Sequence, residues 1–318
     1  MSIVFGPIPS RRLGRSLGIN NIPPKICSYS CVYCQIGITN SMSISRKEFY
    51  SSKEIFKEVL EKIKQLQNDK EKIDYLTFVP DGEPTLDINL GKEIDLLKPL
   101  GIKIAVINNS SLLWDENVRK DLMNADWISV KIDTVDEDIW HKIDRPNGKL
   151  EFPKVLDGIQ KFAAVYSGRL VTETMLVRGI NDNVNSLQKT AKFIKEINPQ
   201  TAYILVPTRP PAEKFVEPPS EENLNIAYQI FESYLQKVEL LAYSEGTDFT
   251  FSSNAEKELL SILAVHPMRS DAVKKFLNKA KSNWDLIEKL IHENILKEVN
   301  YSGKTFLVKN IKSKNKGS

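Results

Sequence analysis

Up to Tyr50 the apolar runs are short and broken by turn formers. Gly6-Pro7-Ile8-Pro9, Arg11-Arg12-Leu13-Gly14-Arg15 and Pro23-Pro24 favour turns and extended segments. Residues 51–67 then switch to helical periodicity. Ser51 and Glu54 have the spacing of a capping box, and Ile55, Val59, Leu60, Ile63 and Leu66 share one face. From there β-prone runs alternate with helical stretches. Strands are expected at 75–79, 102–107, 127–132, 170–177 and 202–206, and helices at 89–99, 115–123, 135–143, 152–166, 184–196 and 220–236. Crossovers of this length join parallel strands through right-handed connections, so the pattern predicts an α/β architecture. In such folds chemistry gathers at the C-terminal strand ends. Those ends read Asp81-Gly82-Glu83-Pro84, Asn108-Asn109-Ser110, Lys131 with Asp133, and Pro207-Thr208-Arg209. Each of them taken singly also reads as an ordinary turn.

The pattern changes near residue 250. Short amphipathic helices are expected at 254–265, 270–279 and 282–294, then strand, turn and strand over 295–308. Three helices followed by a hairpin is a winged-helix-like order. Residues 1–250 are therefore expected to form the α/β domain, 251–310 a winged-helix-like domain, and 311–318 a flexible basic tail. Charge separates the same two regions. Residues 254–318 hold 13 Lys+Arg against 7 Asp+Glu, a balance of +6, which leaves −3 for residues 1–253 out of the net +3.

Composition narrows the class. The chain has 318 residues, 41% of them hydrophobic, with both charge signs mixed, which argues against wholesale disorder. No run approaches the ~18 apolar residues of a membrane span. The first residues carry no basic stretch followed by an apolar one, so no secretory signal is visible. The three cysteines cannot all pair within the chain, so a disulfide scaffold is not expected. A cytoplasmic location and no membrane partner are the expectations.

All three cysteines fall inside one eight-residue stretch, Cys27-Ser28-Tyr29-Ser30-Cys31-Val32-Tyr33-Cys34. Thiolates at such spacing suit zinc or an iron–sulfur cluster. A structural zinc site wants four ligands, and His141, His266 and His292 are far away in sequence. A cubane [4Fe–4S] cluster on three thiolates would leave one iron open for a substrate or cofactor. Zinc completed by a distant histidine, or three unrelated buried cysteines, are the competing readings.

The C-x3-C-x2-C loop, with Tyr33 just before the last cysteine, resembles that of the radical S-adenosylmethionine (radical SAM) superfamily. Asp81-Gly82-Glu83-Pro84 is similar to that superfamily's Gly-Gly-Glu-Pro motif, with Asp81 replacing the first glycine. The resemblance covers about residues 15–240 and implies a partial (β/α)6 TIM-like barrel. It also implies roles. Cys27, Cys31 and Cys34 would ligate three irons of a [4Fe–4S] cluster, and S-adenosylmethionine (SAM) would chelate the fourth. Tyr33 would lie near the adenine, and Asp81, Gly82, Glu83 and Pro84 would receive the methionine ammonium. Asn108, Asn109 and Ser110 would bond a carboxylate or a ribose, Lys131 the SAM carboxylate, and Asp133 the ribose hydroxyls. Val206 would line the adenine. A flavodoxin- or ferredoxin-type one-electron reductant is implied as partner. Reductive cleavage of SAM to a 5′-deoxyadenosyl radical and hydrogen abstraction from substrate would follow.

The stretches Gly6–Gly18 and Val79–Leu86, with Val130-Lys131-Ile132-Asp133 and Arg145-Pro146, look like Fe–S oxidoreductases grouped with wyosine-base tRNA-modifying enzymes. The wyosine-forming enzymes carry further cysteines for a second cluster, and this chain has none. Methylthio transfer and auxiliary-cluster peptide maturation are disfavoured for the same reason. The basic C-terminal region, and Arg11, Arg12 and Arg15 beside the cysteine loop, point to tRNA or another RNA as substrate. A radical SAM activase or maturase acting on a protein or peptide is one alternative. A metal-cluster transcription regulator is another. Which residue touches the reacting substrate atoms is not legible.

Overall fold

The computed structural model describes residues 3–68, 70–242 and 254–310. The chain opens with an antiparallel hairpin of β1 (Val4–Ser10) and β2 (Gly14–Ile19), with Val4 opposite Ile19. Two-residue strands β3 (Ile26–Cys27) and β4 (Ser41–Met42) pinch the loop that follows. Strands and helices then alternate as α1 (Ser52–Asn68), β5 (Tyr75–Phe78), α2 (Leu90–Leu97), β6 (Lys103–Ile107), α3 (Glu116–Leu122), β7 (Trp127–Lys131), α4 (Glu137–Ile143), α5 (Phe152–Val165), β8 (Arg169–Met175), α6 (Val184–Ile197), β9 (Thr201–Leu205), α7 (Glu221–Tyr234) and β10 (Val238–Leu241). One sheet runs β1-β2-β5-β6-β7-β8-β9-β10, parallel at each pairing after the hairpin. A mixed α/β fold of this order is consistent with a partial TIM barrel, with β1 and β10 as its edges.

Successive side chains on a strand face opposite ways, and the strands sort their residues accordingly. Ile104 and Val106 of β6, Ile128 and Val130 of β7, and Ala202 and Ile204 of β9 join the main core against the helices. Ala105, Trp127, Val171 and Tyr203 face the other side, where Leu13 from the hairpin turn and Leu241 pack with them. Ser16 of β2, Thr77 of β5, Ser129 of β7 and Glu173 of β8 are buried polar residues of the same sheet. Ser16 and Thr77 share a buried hydroxyl contact of 2.7 Å. Helix starts follow the capping chemistry. Asp115, Asp136, Asn183 and Ser220 each accept a backbone N–H at the start of α3, α4, α6 and α7. Of the predicted capping box, Ser51 Oγ does accept the Glu54 N–H, at 3.2 Å.

Strands β1 to β4 and β10 lie outside the sequence pattern. β1 contains Pro7 and Pro9, and a proline-bearing strand is tolerated only at a sheet edge, where β1 lies. β10 is a four-residue, half-exposed edge strand with little alternation to read. From residue 254 the three expected helices are present as α8 (Ala255–Val265), α9 (Ser270–Lys279) and α10 (Asp285–His292). A short strand β11 (Met268–Arg269) precedes α9. It pairs with β13 (Lys304–Lys309), which also pairs with β12 (Leu296–Tyr301). Their core of Leu259, Ile262, Phe276, Ile287, Leu290 and Leu307 takes in Phe5 and Ile8 of β1, and Lys62 of α1 pairs with Glu258 of α8 at 2.5 Å. The expected boundary at residue 250 and the expected basic tail 311–318 lie outside the described residues. No helix among the described residues is long and apolar enough to cross a membrane.

Beneath the Pro84–Leu86 turn, two carboxyl groups meet in the core. Asp87 is fully buried and Glu93 of α2 nearly so. Burial and then Asp87 push the Glu93 carboxyl up to about 9, and burial pushes Asp87 up to about 6. A protonated Glu93 bonded to Asp87 is the form that burial favours. Between the ordinary Glu value of 4.5 and about 9, the folded chain holds a proton at Glu93 that the unfolded chain has lost. This site's contribution to stability therefore falls as pH rises through that window. Thermal melts from about pH 5 to about pH 9 should show Glu93→Gln losing less stability than the wild type, with the gap widening toward high pH.

Candidate active site

The loop after β2 carries the three cysteines, and its course is set by backbone hydrogen bonds from several elements. Lys25 N–H donates to Asp81 O at 2.7 Å, and Glu83 N–H donates to Ile26 O at 3.1 Å. This joins the loop to the segment that ends β5. Ser30 and Val32 donate to Asp144 O at 3.0 Å and Ile143 O at 2.9 Å, and Asn147 donates back to Ser28 O at 2.9 Å. Glu213, beyond β9, donates to Val32 O at 3.0 Å. Cys34 N–H closes a turn onto Cys31 O at 3.1 Å. All three cysteines are partly buried and unpaired.

The approach at Gly82 leaves no room for a side chain. A Cβ there would lie 1.9 Å from Ile26 O and 2.8 Å from Ile22 Cδ1. Glu83 behind it is a bracket. Its Oε1 accepts from Thr85 N and Oγ1, and its Oε2 accepts from Asn109 N at 2.7 Å. The ends of β5 and β6 are thereby tied together. Asn109 Nδ2 reaches Ser28 Oγ at 2.8 Å and Cys27 Sγ at 3.5 Å. Asn108 and Ser110 shape the turn itself. Asn108 bonds Ser129 O and the Ser110 N–H, and Ser110 Oγ accepts from Lys131 N.

The far wall is acidic and aromatic. Tyr33 donates its hydroxyl to Asp133 and also reaches Asp144 Oδ1 at 3.2 Å, where Cys31 Sγ donates at 3.2 Å. Lys131 Nζ stands 5.0 Å from the centroid of the Tyr33 ring. Burial opposes its charge, but Asp133, Cys31 and Asp144 outweigh that and hold its pKa above the usual lysine value. Asp133 also accepts from Met175 N, and Asn181 donates to the Asp133 carbonyl. Burial raises Asp81 and Glu83 to about 7 each. Val206 is buried just past the end of β9, at the same sheet edge.

The expected site residues therefore converge on one edge. Sequence reading missed Asp144, whose signal was only its place before Arg145-Pro146, and Lys25, which looked like a loop lysine. It missed a cavity of about 100 Å³ on the inner face as well. Arg12, Ser16, Gln35, Thr77, Arg209 and His266 line it. Arg12 pairs with Glu173 of β8, while Arg209 donates to Gln35 Oε1 at 2.5 Å and lies 3.1 Å from His266 Nε2. Its walls come from the hairpin, the cysteine loop, the end of β9 and α8, so no local pattern announces it.

The donor chemistry fits a metal cluster. Burial, and then the Glu83 carboxylate, push the Cys27 thiol up to about 12, and burial and Asp144 push Cys31 well up too. The polypeptide alone holds these as thiols, and a bound metal group would supply the positive charge that thiolates need here. Among the described residues no three His, Cys, Asp or Glu side chains gather as a single-ion site requires.

A family model described as the radical SAM superfamily matches residues 21–194. A UPF0026 protein of Methanocaldococcus jannaschii is 51% identical over 318 residues, covering 99% of this chain and 98% of that one. A probable dual-specificity RNA methyltransferase of Endomicrobium trichonymphae is 26% identical over 220 residues, 63% of this chain and 57% of that one. The solved structure of a radical SAM methyltransferase from Sphaerobacter thermophilus shares the fold at a TM-score of 0.54. It is 13% identical, over 73% of this chain and 67% of that one.

The Gly82 contact is testable by one methyl group. Gly82→Ala should force Asp81–Glu83 away from Ile26, lower the melting temperature, and reduce the iron retained after anaerobic reconstitution. A variant with wild-type melting and iron content would show that the loop tolerates displacement.

Proposed function

The chain belongs to the radical SAM superfamily, whose cofactors are a [4Fe–4S] cluster and S-adenosylmethionine, and on that premise we propose how its own residues use them. The observation that carries the reading is the convergence of every cysteine in the chain with the Asp81–Pro84 segment at one edge of the parallel sheet. Cys27, Cys31 and Cys34 would hold the [4Fe–4S] cluster, which when bound would supply the electron for reductive cleavage of SAM and so hydrogen abstraction from substrate.

The protein's part is to bind, orient and exclude water. The Asp81–Pro84 backbone, held in place by Glu83, receives the methionine ammonium. Lys131 takes the SAM carboxylate, Asp133 the ribose hydroxyls, and Tyr33 and Val206 flank the adenine. Asn109 adds a donor, and Asn108 and Ser110 act through the turn that presents it. Leu13, Trp127 and Tyr203 pack as an apolar layer on the inner face of the sheet.

The substrate is an RNA, with tRNA the first candidate, and the modification falls on a base. Two observations support this. Exposed Lys274, Lys275 and Lys279 stand on α9, within a C-terminal region of balance +6. A relative is described as an RNA methyltransferase. We read α8–α10 with β12 and β13 as a winged-helix-like unit, separate in function from the barrel, that presents those lysines to phosphates. The protein works in the cytoplasm with a flavodoxin- or ferredoxin-type reductant.

Anaerobically reconstituted protein with a one-electron reductant should convert SAM to 5′-deoxyadenosine. Cys31→Ala should lose the brown visible absorption, the iron and the conversion together. Conversion that survives without iron would sink the cluster assignment. Binding of tRNA should weaken steeply as salt rises, and changing Lys274, Lys275 and Lys279 to Gln should flatten that slope. A wild-type affinity that does not vary with salt would rule out the phosphate contacts.

A further inference from the structure

Lys25 has no role in the reading above, yet it occupies a demanding position. Only 6% of it is exposed, and its Nζ is shut off from solvent without a hydrogen-bond partner. Its backbone sits in the left-handed region, at φ 65°. That conformation is uncommon for a residue with a side chain and persists only where its surroundings enforce it. The enforcement is visible. Lys25 N–H is held by Asp81 O at 2.7 Å, and Lys25 O accepts from Asn40 N at 3.1 Å and Ser41 N at 3.0 Å. The residue stands where both arms of the cysteine loop meet the Asp81–Pro84 segment.

The side chain runs inward beneath the loop. A Cβ built on Gly37 would lie 3.2 Å from Lys25 Nζ, and Gly37 N–H donates to Cys34 O at 3.0 Å. The charged or ionisable groups that act on the ammonium are Cys34, Asp81 and Cys27. A buried cation with no partner costs several kcal/mol unless an anion compensates it. Two of its three neighbours are the cysteines assigned to the cluster.

We propose that Lys25 is a positioning residue for the iron–sulfur cluster: its fixed ammonium balances the negative charge of the thiolate-ligated cluster and raises its reduction potential. The proposal rests on the cluster reading above. Reduction takes one electron from the flavodoxin- or ferredoxin-type donor and adds one negative charge at the cluster. A nearby cation therefore stabilises the reduced form more than the oxidised one.

Redox titration followed by electron paramagnetic resonance, on anaerobically reconstituted full-length protein without SAM, tests this. Leaving SAM out removes any contribution from carboxylate binding. With wild-type iron content, Lys25→Met should shift the midpoint potential to more negative values, and Lys25→Arg should stay near the wild type. In the iron-free protein Lys25→Met should raise the melting temperature, because the uncompensated buried charge is gone. Loss of iron from both Lys25→Met and Lys25→Gln, with retention in Lys25→Arg, would also support a requirement for charge. A fully loaded Lys25→Met with an unchanged midpoint would overturn the inference and leave the cluster reading standing. A wild-type chain that binds no iron would overturn both.

Discussion

Two short backbone segments, Lys25–Ile26 and Asp81–Glu83, run against each other more closely than side chains would permit, and the site is built on that approach. Hydrogen bonds at 2.7 and 3.1 Å fix it from both sides, and Gly82 makes it sterically possible. One segment leads into the first cysteine. The other continues into Glu83, whose carboxylate ties the end of β5 to Asn109 beyond β6. Asn109 in turn reaches back to Ser28 and Cys27. A loop with little secondary structure of its own thus takes its shape from the strand ends it crosses. Loops positioned by a rigid scaffold are where catalytic groups commonly sit.

Charge is the second constraint. Asp81, Glu83, Asp133 and Asp144 are buried around three thiols, with Lys25 and Lys131 as the nearby cations. Burial pushes the Asp81, Glu83 and Asp144 carboxyls and the Cys27 and Cys31 thiols toward their neutral forms. Such an arrangement gives little stability by itself and makes sense as preparation for a charged guest. Lys131 stands over Tyr33, surrounded by acids. Lys25 is enclosed, with no hydrogen-bond partner at its Nζ.

The alternation of β and α was legible because each strand buries both faces and each helix only one. The resulting change from short apolar runs to 3.6-residue periodicity survives in the linear pattern. The start of α1 was legible in the spacing of Ser51 and Glu54, a contact the fold keeps. The hairpin was not, because Pro7, Pro9 and Gly6 read as punctuation, and only the neighbouring β2 and the C-terminal core turn them into an edge strand. The cysteine loop and the Gly82-Glu83-Pro84 segment were legible as motifs, since cluster ligation and close backbone approach demand those residue types at fixed spacing. Glu83 was expected to meet a ligand, and the fold uses its oxygens to join strands.

Sequence alone determined the cysteine spacing, the strand–helix alternation and the split of charge between the barrel region and the C-terminal region. These depend on residue type and local spacing, which a linear chain carries in full. Tertiary structure decided which groups face one another across long separations. Lys25 lies 56 positions before Asp81, Tyr33 lies 100 before Asp133, and Arg209 lies 57 before His266. Those meetings set the charge around the cysteines and the walls of the inner cavity. They depend on how the strands lie side by side in the sheet, and no short stretch of sequence records that.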